Sequence, residues 1–273
     1  MTANQTPDPT VLDRPDVLMV LFHPRPEPPA AYGGPAQDLM IPVAADVAVG
    51  ARFHFQGQDS PNLLFFHGNG EIVADYDELG PVYNAQGINL LAVDYRGYGR
   101  SSGQPSVAAL LADSHAILTF TRQWLAAHNF RGPLILMGRS LGSAAVLELA
   151  AAHPQQIDGL IVESGFAHAA PLLRLLGIDP DRIGFSEDQG FGNLDKIRTY
   201  KGPTLIIHAE FDHIIPYSDG EALYAASPAD HKSLLRIPGA NHNDIFLRGM
   251  TAYLEAVSRF GGYCKAAGRE SAG

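Results

Sequence analysis

Two stretches of the chain set a serine between flanking glycines, Gly138-Arg139-Ser140-Leu141-Gly142 and Gly99-Arg100-Ser101-Ser102-Gly103. The pattern Gly-x-Ser-x-Gly suits a nucleophilic hydroxyl, because a serine in a sharp strand-to-helix turn holds its Oγ out of the backbone. Glycines on either side leave room for the neighbouring chain. The flanks separate the two candidates. Residues 133–137, "PLILM", form a continuous apolar run that leads straight into Gly138, and the small-residue helical stretch "SAAVLELAAA" follows. Ser101 instead follows "DYRGY" and runs into Gln104-Pro105, which reads as a turn. Ser140 is therefore the candidate nucleophile, with a helix N-terminus behind it that favours negative charge.

A serine hydroxyl attacks only when a base removes its proton, and the base must itself be oriented by an acid. Downstream, "PTLIIHAEFDHIIP" places Asp212 in a loop after an apolar run, and "SLLRIPGANHNDIF" places His242 in the loop after the next one. An aspartate in such a loop could equally cap a helix, and His242 is one of 11 histidines. The chain order Ser140, Asp212, His242 after successive strands is what favours their joint action. His213 adjoins Asp212 too closely to be its partner, and Glu210 and Glu163 are weaker substitutes for the acid. Acyl transfer also needs N–H donors for a developing oxyanion. The turn in "FFHGNG" offers the backbone N–H of Asn69, and the residue after the nucleophile offers that of Leu141. His67 in the same turn reads as structural.

These groups require an ordered frame. Six short, nearly continuous apolar runs (62–66, 88–93, 133–137, 159–163, 203–207 and 233–237) read as strands covered on both faces. Two more strands, "LMIPV" and "VAVGARFHF", precede them as an antiparallel start to the sheet. Helical patterns fall between the runs, at about 74–85, 106–128, 141–153, 219–226 and 244–263, with Ser106 as a natural N-cap. Alternating strand and helix implies an α/β fold, a mostly parallel eight-stranded sheet with helices on both faces. In such a sheet reactive groups gather at the carboxyl ends of the strands.

A chain of 273 residues suits one large α/β domain. Residues 1–42 hold nine of the 20 prolines, so residues 1–36 read as a proline-rich leader in largely extended coil. The domain is then expected over 37–273. The net charge of −10, without a Lys/Arg cluster, opposes a nucleic-acid or anionic-lipid partner. A single cysteine excludes an intrachain disulfide, and no closely spaced His/Cys/carboxylate set resembles a zinc site, so no metal and no cofactor is expected. "VLMVLF" is too short for a signal core or a membrane span. A cytoplasmic protein without a stable membrane anchor is the expectation.

From about Met19 to the last helix the chain resembles the alpha/beta-hydrolase superfamily. The segments "HGNG", "DYRGYGRSSG", "GRSLG", "HAEFDHIIP" and "GANHND" occur in the order of that family's oxyanion turn, fourth-strand loop, nucleophile elbow, acid loop and histidine loop. The nearest branch is that of the short-capped serine aminopeptidase-like hydrolases, which includes the ABHD-type lipases and depalmitoylases. The resemblance assigns "GRSSG" to a non-catalytic loop. Depalmitoylase members carry an N-terminal cysteine cluster that this chain does not. The implied activity is a serine hydrolase acting on a small-molecule carboxylic ester or thioester through an acyl-enzyme. A peptidase or other hydrolase on the same triad, or a non-catalytic small-ligand-binding protein with this fold, are the competing readings. The short cap this branch inserts, at about 165–198, is rich in leucine and isoleucine. Leu172, Leu176, Ile183 and Phe185 are expected to form an acyl-binding wall for short to medium chains, although packing on the sheet edge would explain the same apolarity.

Overall fold

The computed structural model describes residues 11–28, 34 and 36–270. Eight strands form one open sheet: β1 (Gln37–Ala44), β2 (Val47–His54), β3 (Asn62–Phe66), β4 (Asn89–Val93), β5 (Leu134–Arg139), β6 (Gly159–Glu163), β7 (Thr204–Ala209) and β8 (Lys232–Ile237). They lie in the order β1-β2-β4-β3-β5-β6-β7-β8. β2 runs antiparallel to both β1 and β4, and the remaining pairs are parallel. The antiparallel start and the continuous apolar runs are thus as expected, and β3 and β6 coincide with their runs to the residue.

Successive side chains of the buried strands enter opposite layers. Leu63 and Phe65 of β3 face a core shared with helices α2 (Leu79–Ala85) and α9 (Ile245–Glu270), whereas Leu64 and Phe66 face the other. The opposite layer holds α1 (Pro15–Leu21), α3 (Val107–Ala127), α4 (Gly142–Ala152), α7 (Asn193–Thr199) and α8 (Tyr217–Ala226). The cap contributes two short helices before α7, α5 (Ala169–Leu175) and α6 (Pro180–Ile183). Ser106 caps α3 as expected, its Oγ accepting from the Ala109 N–H at 3.0 Å.

The leader differs from its expectation. Pro15 at the first helical turn is compatible with helix, and α1 buries Val17 and Leu21 while Leu12 and Phe22 beside it are also buried. Asp13 accepts the Val107 N–H at 2.6 Å, so a side chain of this segment caps α3. Of the leader, residues 1–10, 29–33 and 35 lie outside the described set. The expected helix at 74–85 is also divided, into a short 3-10 turn over Val73–Tyr76 and α2.

Strand register brings the loops of interest together. Phe66 pairs with Gly138, Arg139 with Glu163, and Ala209 with Ile237. The β3 turn therefore abuts the β5 elbow, and the loops after β7 and β8 lie side by side.

Candidate active site

At the elbow, β5 runs on through Arg139 and stops abruptly at Ser140, whose φ of +50° is a conformation that L residues with side chains rarely adopt. The turn is held on both sides. The Ser140 N–H donates to the Glu163 carbonyl at 2.9 Å, and the Ser140 carbonyl accepts from the Ser143 hydroxyl at 2.6 Å and the Ser143 N–H at 3.0 Å. Both flanking glycines are sterically required: a Cβ on Gly138 would stand 2.4 Å from the Gly142 carbonyl oxygen, and one on Gly142 would stand 2.1 Å from that of Phe66. Ser101 sits in no such turn. Its Oγ accepts the Gly50 N–H at 2.9 Å, so it ties a loop to β2.

The loops after β7 and β8 are joined by the Phe211 N–H donating to the Ala240 carbonyl at 2.8 Å and the Gly239 N–H donating to Glu210 at 2.8 Å. Between them His242 Nδ1 lies 2.7 Å from Asp212 Oδ2, and both residues are buried. The other oxygen of Asp212 accepts the Ile214 N–H at 3.0 Å and the Ile215 N–H at 2.8 Å. Burial alone would raise this carboxyl, but the hydrogen bond and charge of His242, with the two amides, hold it below its usual range. The carboxylate thus fixes Nδ1 as the protonated nitrogen and leaves Nε2 as the acceptor. His213, by contrast, is exposed.

A cavity of about 240 Å³ collects these groups. Ser140, Leu141, Asn69 and His242 all line it, and Leu172 and Leu176 of the cap form part of its apolar wall with Leu21 and Ile214. Among the described residues neither the Asn69 nor the Leu141 backbone N–H has a protein acceptor. Ile183 and Phe185 stand elsewhere and correct the expected wall: Ile183 packs against the core and Phe185 is inside it. Gly184, left-handed at φ +71°, turns the chain back, and the Phe185 N–H returns to the Pro180 carbonyl at 2.9 Å.

Several residues of the site are not evident from the motifs alone. The side chain of Asn69 holds the N-terminal segment, its Oδ1 accepting the His23 N–H at 2.9 Å and its Nδ2 donating to the Leu21 carbonyl at 2.8 Å. That is how Leu21 and His23 reach the cavity. Arg139 is a buried hub. Its guanidinium donates to Glu71 at 2.7 Å, to Glu163 at 2.7 Å and to the His242 carbonyl at 2.9 Å. Glu71 in turn accepts the Gly68 N–H at 2.7 Å and the Tyr76 hydroxyl at 2.6 Å. One arginine therefore links the turn after β3, the elbow after β5, β6 and the loop after β8. The charged residues flanking "HGNG" and preceding Ser140 were the available signal, but a pairing across 68 positions is not legible from spacing. His67, read as structural, is buried against Asp94 Oδ1 at 3.2 Å.

Burial pushes the Glu71 carboxyl up, but the charge and hydrogen bond of Arg139 outweigh it and bring it from an ordinary 4.5 to about 2. A carboxyl depressed on folding stabilises the protein above its unfolded pKa, and that contribution is lost as pH falls through the folded one. Thermal melts should accordingly show stability declining from about pH 4.5 toward pH 2. The Glu71→Gln variant should be less stable by about 1–3 kcal/mol at pH 7, where it leaves Arg139 short of a charged partner, with a shallower decline in acid. Equal acid slopes for the two proteins would contradict this.

Comparison with known proteins agrees with the fold. Residues 58–178 match the family described as serine aminopeptidase, S33. The human alpha/beta hydrolase domain-containing protein 17B is 33% identical over 219 residues, covering 74% of this chain and 67% of its own length. The chain belongs to the alpha/beta-hydrolase superfamily, in its ABHD-type branch. An uncharacterized Mycobacterium tuberculosis protein, Rv2307c, is 30% identical over 254 residues, covering 85% of this chain and 84% of its own. Among solved structures, Est1E from Butyrivibrio proteoclasticus superposes with a TM-score of 0.67 at 19% identity, over 84% of this chain and 99% of that one. A soluble variant of the Saccharomyces cerevisiae monoglyceride lipase does so with a TM-score of 0.67 at 18% identity, over 87% and 98%. As an alpha/beta hydrolase the protein is expected to carry a hydrolytic activity. Among its described residues no helix is long and apolar enough to cross a membrane.

Proposed function

We propose that this alpha/beta hydrolase is a cofactor-independent serine hydrolase that cleaves a small-molecule carboxylic ester or thioester through an acyl-enzyme. The observation that carries the reading is the buried 2.7 Å contact of Asp212 with His242 Nδ1, beside a positive-φ Ser140 in the wall of one cavity. In this reading His242 Nε2 takes the proton of Ser140 as Oγ adds to the carbonyl carbon, and the Asn69 and Leu141 N–H groups hold the oxyanion. The tetrahedral adduct collapses, the leaving group departs with the proton from His242, and water then repeats the sequence to release the acid. Asp212 keeps the imidazole in the competent tautomer and stabilises its cation.

Fluorophosphonate labelling of the intact protein, with peptide mapping, tests the proposal. Labelling confined to Ser140 is the expected result, and an unlabelled, folded protein would overturn it. The apolar wall of Leu21, Leu172, Leu176 and Ile214 then sets acyl preference. Each buried methylene contributes roughly 0.8 kcal/mol, about fourfold in affinity, until the chain outgrows the wall. Across p-nitrophenyl esters kcat/KM should rise from C2, peak at about C4 to C8 and decline by C16. A steady increase through C16, or a strict preference for acetate, would contradict this pocket.

A further inference from the structure

Beside the Ser140 cavity lies a second one of about 290 Å³, on the face of the sheet that carries α2 and α9. The two share Glu71, Arg139 and Asn243 as walls. Their linings differ in kind. The apolar residues of the Ser140 cavity are all aliphatic, whereas those of the second are mostly aromatic, Phe65, Tyr76, Tyr83, Phe246 and Tyr253 beside Leu79 and Ile245.

We propose that this second cavity receives the leaving-group half of the substrate, and that the group it takes is a neutral ring bearing hydroxyls, phenolic or sugar. The inference rests on the serine-hydrolase reading above and adds the class of alcohol released. Size permits a ring, since a cavity of about 150 Å³ already accepts benzene. The Phe65 and Tyr76 rings stand 4.7 Å apart and the Phe246 and Tyr253 rings 5.2 Å apart, so two tilted aromatic pairs frame the cavity and offer ring edges to a ring inside it.

The polar atoms of the lining are mostly acceptors. The Tyr76 hydroxyl donates to Glu71, and that of Tyr253 donates to Glu163 at 2.6 Å, with the Tyr83 and Tyr253 oxygens 3.2 Å apart. Tyrosine oxygens that have spent their proton in this way, and carboxylates with remaining lone pairs, satisfy a ligand that brings O–H donors. Charge excludes the opposite class. Glu71, Asp75 and Glu163 line the cavity and face two guanidinium groups, Arg139, which Glu71 and Glu163 share, and Arg25, which pairs with Asp75, so one negative charge is left over and a phosphate-bearing or carboxylate-bearing leaving group meets net repulsion.

The test uses butanoate esters of methanol, phenol, 3-hydroxyphenol and choline, which hold the acyl half constant. The 3-hydroxyphenyl ester, whose leaving group matches phenol closely in acidity, should exceed the phenyl ester in kcat/KM by about tenfold, the worth of one well-made hydrogen bond. Leu79→Trp, which fills the cavity from α2, should erase that preference while methyl butanoate turnover and the acyl-chain profile stay unchanged. Tyr83→Phe, a conservative change, should reduce the preference and decides the matter if the tryptophan variant does not fold. An equal rate on the two aryl esters, a faster rate on the choline ester, or a Leu79→Trp protein with an altered acyl profile would each overturn the subsite. Failure of Ser140 to take a fluorophosphonate would overturn the hydrolase reading itself, whereas labelling without a leaving-group preference removes the subsite alone.

Discussion

Replacing Ser140 by alanine should lower ester hydrolysis by roughly 10⁴-fold or more and abolish fluorophosphonate labelling, while Ser101→Ala should keep both near wild type. The two serines share a pattern and differ in everything that surrounds it. Ser140 is held at φ +50° between a strand end and a helix start, in the cavity that His242 lines. Ser101 has its oxygen engaged by the Gly50 N–H in a loop beside β2. Alanine at 140 removes the atom that would form the acyl-enzyme and leaves the Glu163 and Ser143 backbone contacts of the turn in place. The Ser140→Ala protein should therefore melt close to wild type, which separates lost chemistry from lost fold. An inactive Ser101→Ala beside an active Ser140→Ala would show that the elbow has been assigned to the wrong serine.

The parts of this site that could be read from the sequence are those whose physics is local. "NLLFF" and "GLIVE" are strands because every residue is apolar and both faces are covered, and β3 and β6 match them to the residue. Gly138 and Gly142 follow from the elbow, where any Cβ would strike the backbone. What could not be read depends on partners distant in sequence. The prolines near the N-terminus suggested coil, yet Pro15 begins a helix whose Val17 and Leu21 find a core to enter and whose end is fastened by Asn69. Arg139 occupies the unspecified position of the Gly-x-Ser-x-Gly pattern. Its role emerges only when Glu71, Glu163 and the His242 carbonyl converge on it. The cap illustrates the same limit from the apolar side: Leu172 and Leu176 face the cavity while Phe185 enters the core, and composition does not distinguish these two destinations.

Charge and tautomer make Asp212→Asn the sharpest remaining test of the proposed mechanism. Asp212 Oδ1 accepts two backbone N–H groups, from Ile214 and Ile215, and Oδ2 accepts from His242 Nδ1. An asparagine at this position must keep its carbonyl oxygen toward the two amides, because an NH₂ there would face two donors. Its NH₂ group is then directed at His242 Nδ1, which has to become an acceptor. The imidazole proton moves to Nε2, the nitrogen required to take the proton of Ser140, and the base is lost without any change of shape. kcat should fall by about 10⁴-fold, with fluorophosphonate labelling slowed in parallel. Thermal stability at pH 7 should fall only modestly, because the loop keeps both backbone hydrogen bonds while the stabilisation of a carboxylate held below its usual range is lost. An Asp212→Asn enzyme within tenfold of wild type would move the acid elsewhere. Glu163 is poorly available for that task, since its oxygens are already held by Arg139 and by the Tyr253 hydroxyl, and Glu210 is engaged by the Gly239 N–H.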